Sequence, residues 1–472
     1  MFRRILDSAW LYFALAGALV LLALLTQFEV RVPTREQASV SELTKLRDRD
    51  DINVIFLLID TLRADRLGIY GYERPTSPLI DEIASHGVVF ERVVSQSSWT
   101  KTSMASMWTA THPVRNGILR YNHVLPEEAV VPAELFREAG FRTVGLWRNG
   151  WVEPNFGFSQ GFEVYVRPTP GAERARIHRQ SPSTSPLTGT DEDMVMSAVD
   201  FLEQFRNERF FLYMHFMDIH QYVYDDYSAI FGTSYSDAYD QSIHWTDRLL
   251  GVLFEALRDQ DLLKKTIVVI ASDHGEAFLE HGSEGHARNL YREVSYVPLV
   301  MSLPFLLEEG VRVRGTVSNA DIWPTLLDIV GLPPLPGADG VSLVPLIVEA
   351  GGEPAAEPTE PLLRPVFSQL QKGWGRPKSE PQFLVAVTDG DRRYITRYGG
   401  EESEELFDHG SDPTEQRNLI EEDAADPADL RELADAYMES AGEPPWGTEA
   451  GEVELDEMRL NHLRALGYVI KP

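Results

Sequence analysis

The sequence contains no cysteine, which excludes disulfides, thiolate metal sites, lipidation on cysteine and a cysteine nucleophile. A chain of 472 residues needs no disulfide to bury a core in either redox environment. Basic residues are scarce beside acidic ones, 43 Lys and Arg against 73 Asp and Glu, for a formal net charge of -30. That field repels nucleic-acid phosphates, so nucleic acid is not an expected partner. It also opposes an anionic ester, so a site for one needs local positive potential from a metal ion, His or Lys. No internal repeat is present.

What is there is 43% hydrophobic and 25% charged, the balance of a folded globular chain. Ser8 to Phe28 carries no charge and runs through Leu11, Phe13, Leu15, Leu19, Leu22 and Leu25, long enough to span a bilayer. Arg3 and Arg4 precede it, Trp10 and Tyr12 sit near one end, and no small-residue cleavage site follows, which favours an uncleaved single-pass anchor. The expectation is an anchor over residues 1–28, a charged stalk over 29–50 and a catalytic domain over 51–350 outside the cytoplasm. A Pro, Glu, Gly and Ala-rich linker spans 351–365, a small subdomain 366–440 and an acidic tail 441–472.

Ile52 to Ile59 is a continuous β-branched run ending on Asp60, the pattern of a strand buried on both faces. Similar runs recur at 143–147, 210–216, 266–271 and 297–301, with helical periodicities between them, as at Val195 to Phe205 and Ile243 to Leu257. This alternation predicts a mostly parallel sheet covered on both faces, with ligands bound beyond the carboxyl ends of the strands. Later, 383–387 and 394–398 flank Asp389-Gly390-Asp391, a hairpin signal, and 429–438 has the pattern of a helix packed on it. The Pro, Ser and Thr-rich stretch 167–190 reads as a long loop or insertion.

Strand ends carry the chemistry. Asp60 opens Asp60-Thr61-Leu62-Arg63-Ala64-Asp65, and Asp273 stands in Ser272-Asp273-His274-Gly275-Glu276. Carboxylate and imidazole together suit a divalent ion such as Ca, Mg, Mn or Zn, although most strand-end Asp residues only cap a helix or turn. The hydroxyl-rich Trp99-Thr100-Lys101-Thr102-Ser103, the run from His215 through Asp218 to His220, and His286 add three further elements. Each alone is ordinary; together they read as one site.

The order of these motifs resembles the sulfatase family within the alkaline-phosphatase-like superfamily. The resemblance runs from Asn53 through Thr76-Ser77-Pro78, Trp99 to Pro113, Phe210 to Tyr222, Ser272 to Pro298 and Asp321 to Gly331, then to Leu406 to Leu419. It implies an α/β sandwich with a small C-terminal antiparallel sheet. It makes Asp60, Asp273 and His274 metal ligands and sets Thr100 where the family carries its nucleophile, itself beside the metal. His220 and His286 match groups that contact the ester oxygens or protonate the leaving oxygen, while His215, Asp218, Glu276 and His281 orient neighbours. Sulfatases carry Cys or Ser there, with Pro two and Arg four residues on; this chain has Thr100, Thr102 and Met104. Thr61 stands where a second Asp is usual, and Lys101 is a candidate for the charge lost with the Arg. These departures favour phosphoester chemistry on an unmodified Thr100, as a hydrolase of sulfuric or phosphoric esters. The alternatives are a membrane-associated transferase of the phosphoethanolamine or phosphoglycerol type and a non-catalytic binding protein of the same fold.

Overall fold

The computed structural model of the chain describes residues 35–168, 177–179, 189–355, 359, 362–376, 380–422, 425–442, 444–465 and 470. Strand β1 (Asn53–Ile59) is buried at every position. Its alternation feeds two cores: Val54, Phe56 and Leu58 pack on one face, and Ile55, Leu57 and Ile59 on the other. The described sheet adds β2 (Val88–Val94), β3 (Arg142–Trp147), β4 (Val164–Val166), β5 (Phe210–Phe216), β6 (Thr266–Ala271), β7 (Tyr296–Val297), β8 (Leu299–Ser302) and β9 (Val311–Ser318). The order is β7-β2-β8-β6-β1-β5-β3-β4, with β9 pairing β2. Strands β6, β1, β5, β3 and β4 run parallel. The run expected as one parallel strand at 297–301 differs. Pro298, which has no N–H to donate, separates β7 from β8, and β8 runs antiparallel to β6.

Helices α1 (Pro78–Ser85), α3 (Asp191–Phe205) and α4 (Tyr235–Asp259) cover the Ile55 face. Helices α2 (Thr100–Thr109), α5 (Ile322–Ile329) and α6 (Val344–Ala350) cover the other. A second sheet follows: β10 (Val366–Gln371), β11 (Phe383–Asp389), β12 (Arg392–Tyr398) and β13 (Glu404–Asp408), all antiparallel. Helix α7 (Ala428–Glu439) packs on it through Leu430, Ala434 and Tyr437. Leu370, Leu384 and Ile395 on the opposite face join the main core. Gly390 takes the left-handed conformation, φ 59°, that the β11–β12 turn needs.

Two segments depart from expectation. Within the stretch read as a stalk, Gln37–Ala38 pairs with Leu306–Leu307, and a 3-10 helix over Val40–Asp48 buries Val40, Leu43 and Leu46. The three-residue spacing of these side chains gives a 3-10 helix one apolar edge, and burying it ties the segment to the domain. In the stretch read as an acidic tail, Gly451–Glu452 pairs with His123–Val124, and Leu463 on a helix over Glu457–Ala465 enters the main core. The apolar run read as an anchor lies outside the described residues; among those residues, no helix is long and apolar enough to cross a membrane.

Candidate active site

The carboxyl ends of four parallel strands meet the N-terminus of α2. Asp60 follows β1, Arg148 and Asn149 follow β3, His220 lies beyond β5, and Asp273 and His274 follow β6. Each lies at or just beyond the end of a buried, largely apolar strand, so the strand can stay dry while its end holds charge.

One atom each from Asp60, Asp273 and His274 lies within 4.8 Å of the other two, and all three residues are buried. His274 Nδ1 faces the Gly275 carbonyl at 3.0 Å. A carbonyl only accepts, so Nδ1 carries the proton and Nε2 presents its lone pair. The Thr100 hydroxyl donates to that Nε2 at 3.0 Å. Asp60 Oδ1 and Asp273 Oδ2 are buried without a hydrogen-bond donor, a costly state for carboxylate oxygens. Burial raises the pKa of Asp273, and the neighbouring charge of Asp60 raises it further. Burial acts the same way on Asp60, but the His215 hydrogen bond and the charges of His220, His215 and His274 outweigh it and hold Asp60 low. Two orphaned carboxylate oxygens beside an imidazole lone pair fit a divalent cation, which satisfies them and relieves their repulsion.

Supporting residues fix this geometry. Tyr213 donates to His215 Nδ1 at 2.7 Å, and His215 Nε2 donates to Asp60 Oδ2 at 3.1 Å. Ser103 on α2 donates to the Asp273 carbonyl at 2.7 Å. Thr61 holds φ 61°, strained for a β-branched residue. That turn aims its N–H at Asp273 Oδ1 (3.3 Å) and its hydroxyl back to the Asp60 carbonyl (2.6 Å), away from the cluster. Arg148 donates to both Asp191 and Asp218 at 2.5 Å, while Asp191 accepts from the N–H groups of Met217 and Asp218. This buried network sets the loop that carries His220.

The rings of His274 and His286 lie 4.5 Å apart, and those of His286 and His220 5.0 Å apart. His286 Nδ1 donates to Glu276 at 3.1 Å. Burial opposes a charged His286, but Glu276 outweighs it and raises its pKa; burial pushes His220 down to about 4. His281 lies outside this group, bonded to Glu293 and to the Glu415 carbonyl of the small subdomain. Lys101, expected to add charge to the site or to be solvated, does neither. It is fully buried, donates to the Tyr121 carbonyl at 2.6 Å and lies 3.5 Å from the centre of the Phe156 ring.

Sequence reasoning passed over Asn149. Its Oδ1 accepts from the Trp151 N–H at 2.7 Å, which turns Nδ2 toward Asp60 Oδ2 and, at 3.5 Å, Thr100 Oγ1. The available signal was its position two residues beyond β3, a strand end like the other three.

A Sulfatase family model matches residues 52–332. Arylsulfatase K of Gallus gallus is 35% identical over 37% of this chain and 31% of its own length. The chain thus spans about a third of that relative. Human N-acetylgalactosamine-6-sulfatase is 25% identical over 63% of this chain and 66% of its own length. The crystal structure of a phosphonate monoester hydrolase of Agrobacterium radiobacter superposes with a TM-score of 0.65 at 18% identity, over 83% of this chain and 95% of that one; this is a likeness of fold.

Proposed function

The chain belongs to the sulfatase family, whose model spans more than half its length, and from that premise we propose that it is a metal-dependent ester hydrolase with unmodified Thr100 as nucleophile and phosphoesters as preferred substrates. One observation carries the reading: the Thr100 hydroxyl is bonded to His274 Nε2 beside two orphaned carboxylate oxygens.

Thr100 is the first residue of a ten-residue helix, whose positive end favours a developing oxyanion and the anion it attacks. A divalent ion held by Asp60, Asp273 and His274 would supply Lewis-acid polarisation and a lower hydroxyl pKa. Asn149 donates to the Asp60 carboxylate and toward Thr100 Oγ1, so it steadies the nucleophile. In the first step Oγ1, its proton already released to solvent as the hydroxyl pKa falls, bonds to phosphorus and the bond to the leaving oxygen breaks, with His286 giving that oxygen its proton. Glu276 on Nδ1 leaves Nε2 as the working nitrogen. In the second step water attacks phosphorus, His286 takes its proton and the bond to Oγ1 breaks, the same group serving both directions. His220, uncharged near neutral pH because burial lowers its pKa, serves as a hydrogen-bonding contact for a non-bridging oxygen.

Phosphate is favoured over sulfate because a threonine sulfate has no second hydroxyl through which its carbon–oxygen bond can break. The covalent sulfate would persist, whereas a threonine phosphate is resolved by attack at phosphorus. The test is a panel of 4-nitrophenyl sulfate, 4-nitrophenyl phosphate, bis(4-nitrophenyl) phosphate and 4-nitrophenyl phenylphosphonate, with peptide mass analysis at position 100. Turnover of phosphorus esters, its loss in Thr100→Ala and an unoxidised Thr100 are expected. Sulfate turnover with phosphorus esters untouched overturns the preference, and an active Thr100→Ala removes the nucleophile. A membrane anchor over residues 8–28 with the catalytic domain outside completes the reading, supported by the uncharged run alone. A C-terminal reporter fusion active only in the cytoplasm would refute it.

A further inference from the structure

The wall beside His286 carries positive charge that the mechanism leaves unused. Arg288, two residues beyond His286, is exposed. Lys372, next after β10, donates to the Arg288 carbonyl at 2.6 Å. Arg397 lies on β12, opposite Leu384, which β11 pairs in turn with Leu370. Alternation therefore sets Arg397 and Lys372 on the face of the small sheet that joins the main core. That strand end is pinned to the site. Trp374 stacks on Trp99, the neighbour of Thr100, at 4.5 Å, and its Nε1 donates to the Ala287 carbonyl at 3.4 Å.

Among the described residues, no carboxylate lies within 4.0 Å of Arg288, Lys372 or Arg397. Elsewhere, Arg142 pairs with Glu208, Arg392 with Asp429 and Arg417 with Glu422. Here three cations without a carboxylate partner lie together on a chain of net charge -30. Arg397 also keeps a buried Nε with no hydrogen-bond partner. Burial lowers the pKa of Lys372, and the charge of Arg397 lowers it further, so these two side chains repel each other. An anion would relieve that repulsion.

We propose that Arg288, Lys372 and Arg397 form a second anion subsite beside the Thr100 centre, which takes a further sulfate, phosphate or carboxylate group carried by the same substrate molecule. The substrate is therefore a polyanion, such as an oligosaccharide bearing several acidic groups, engaged at the reacting ester and at one neighbouring group. This rests on the Thr100 centre being the ester site.

The test uses the full chain as Thr100→Ala, which binds without turnover, and a fluorescein-labelled dextran sulfate oligosaccharide followed by fluorescence anisotropy across a salt series. Changing all three residues to Gln should weaken binding at least about thirty-fold and flatten its salt dependence, because each lost contact no longer releases a counterion. Lys372→Gln alone should weaken it about three-fold, which keeps the test readable if the triple variant folds poorly. Arg142→Gln and Arg47→Gln, away from the small sheet and paired with Glu208 and Asp328, should leave affinity unchanged. Inorganic phosphate should compete, since one molecule spans both sites. Unchanged affinity in the triple variant, or equal losses in the remote controls, overturns the subsite. Failure of phosphate to compete overturns the shared substrate. If the unsubstituted enzyme turns over no small ester, the function reading fails while the anisotropy result still decides the subsite.

Discussion

Replacing Asn149 tests whether a residue with no motif of its own controls the nucleophile. Its Nδ2 serves Asp60 Oδ2 and, more distantly at 3.5 Å, Thr100 Oγ1, while its Oδ1 caps the Trp151 N–H. A hydrogen bond to a charged partner contributes about 1.5–3 kcal/mol, which converts to roughly 10- to 150-fold in rate or metal affinity. Asn149→Ala should therefore lower kcat/KM by about two orders of magnitude at limiting metal. Two measurements separate the routes. If Asn149 acts only through Asp60, excess metal restores kcat; if it also steadies Thr100, kcat stays low at saturating metal and the limb of its pH profile set by Thr100 ionisation moves to higher pH. Asn149→Ser is the structural control, since its hydroxyl can still cap Trp151 but is too short to serve Asp60. It should melt near the unsubstituted protein while sharing the kinetic defect. A steady-state assay on 4-nitrophenyl phosphate with metal titration reads all of this. Asn149→Ala within three-fold of the unsubstituted enzyme at limiting metal would refute the assignment.

His281 is raised to about 9, because its bonds to Glu293 and to the Glu415 carbonyl outweigh the opposing burial. Its contribution is fully present below about pH 6.5 and is lost as pH rises through about 9; discounted for partial exposure it is roughly 1–2 kcal/mol. His281→Gln should flatten the fall in Tm between those pH values. Burial raises Asp247 to about 7 against the backbone N–H groups of Leu79 and Ile80, which it accepts at the start of α1. Its stabilisation is present below about pH 4 and is lost as pH rises through about 7. Asp247→Asn keeps an acceptor and should raise Tm at pH 8 but not at pH 4; a lower Tm at pH 8 would contradict this. A chelator should lower Tm, and Zn or Mn should restore it at lower concentration than Ca, because His274 offers a nitrogen donor to a site with only two carboxylates. Equal rescue by Ca in calorimetry would count against that donor set.

The central strands were legible because β1, β5 and β6 are almost wholly apolar runs buried at every position, the pattern of a strand covered on both faces. Strand β2 was not, because Glu91 and Arg92 interrupt it at its two half-exposed positions. In β9, Arg312 and Arg314 alternate with Val311 and Val313, the pattern of a half-covered edge strand that also suits a loop. The reversed direction of β8 has no sequence signature, since direction follows from connections rather than composition. The charges of 29–50 suggested a stalk, and they hid Val40, Leu43 and Leu46, whose spacing of three matches neither the helix nor the strand period.

The candidate site divides in the same way. Asp60, Thr100, Asp273, His274 and His286 could be proposed from sequence because the order of their motifs resembles that of the sulfatase family, although each alone reads as an ordinary cap, turn or loop residue. Asn149 could not, since an Asn beside Gly150 reads equally well as a turn residue. The cations of the small sheet were less accessible still. Nothing in the sequence joins Lys372 and Arg397 to Arg288 until Trp374 stacks on Trp99 and brings the sheet's edge beside Thr100. The proposed reacting centre is thus built from strand ends of the main sheet, where burial fixes atoms closely. The wall that would sort one anionic substrate from another comes from the small sheet, which meets the main domain through core side chains such as Leu370 and Ile395 and through hydrogen bonds such as Ser368 to the Ser95 carbonyl. Substitutions along β10 and β12 should therefore alter which polyanions bind before they alter the chemistry at Thr100. A Trp374→Ala variant, which loosens that attachment, should show the split as weakened dextran sulfate binding with smaller loss of kcat on 4-nitrophenyl phosphate. Loss of kcat with polyanion binding intact would show instead that the small sheet supports the reacting centre and not the substrate.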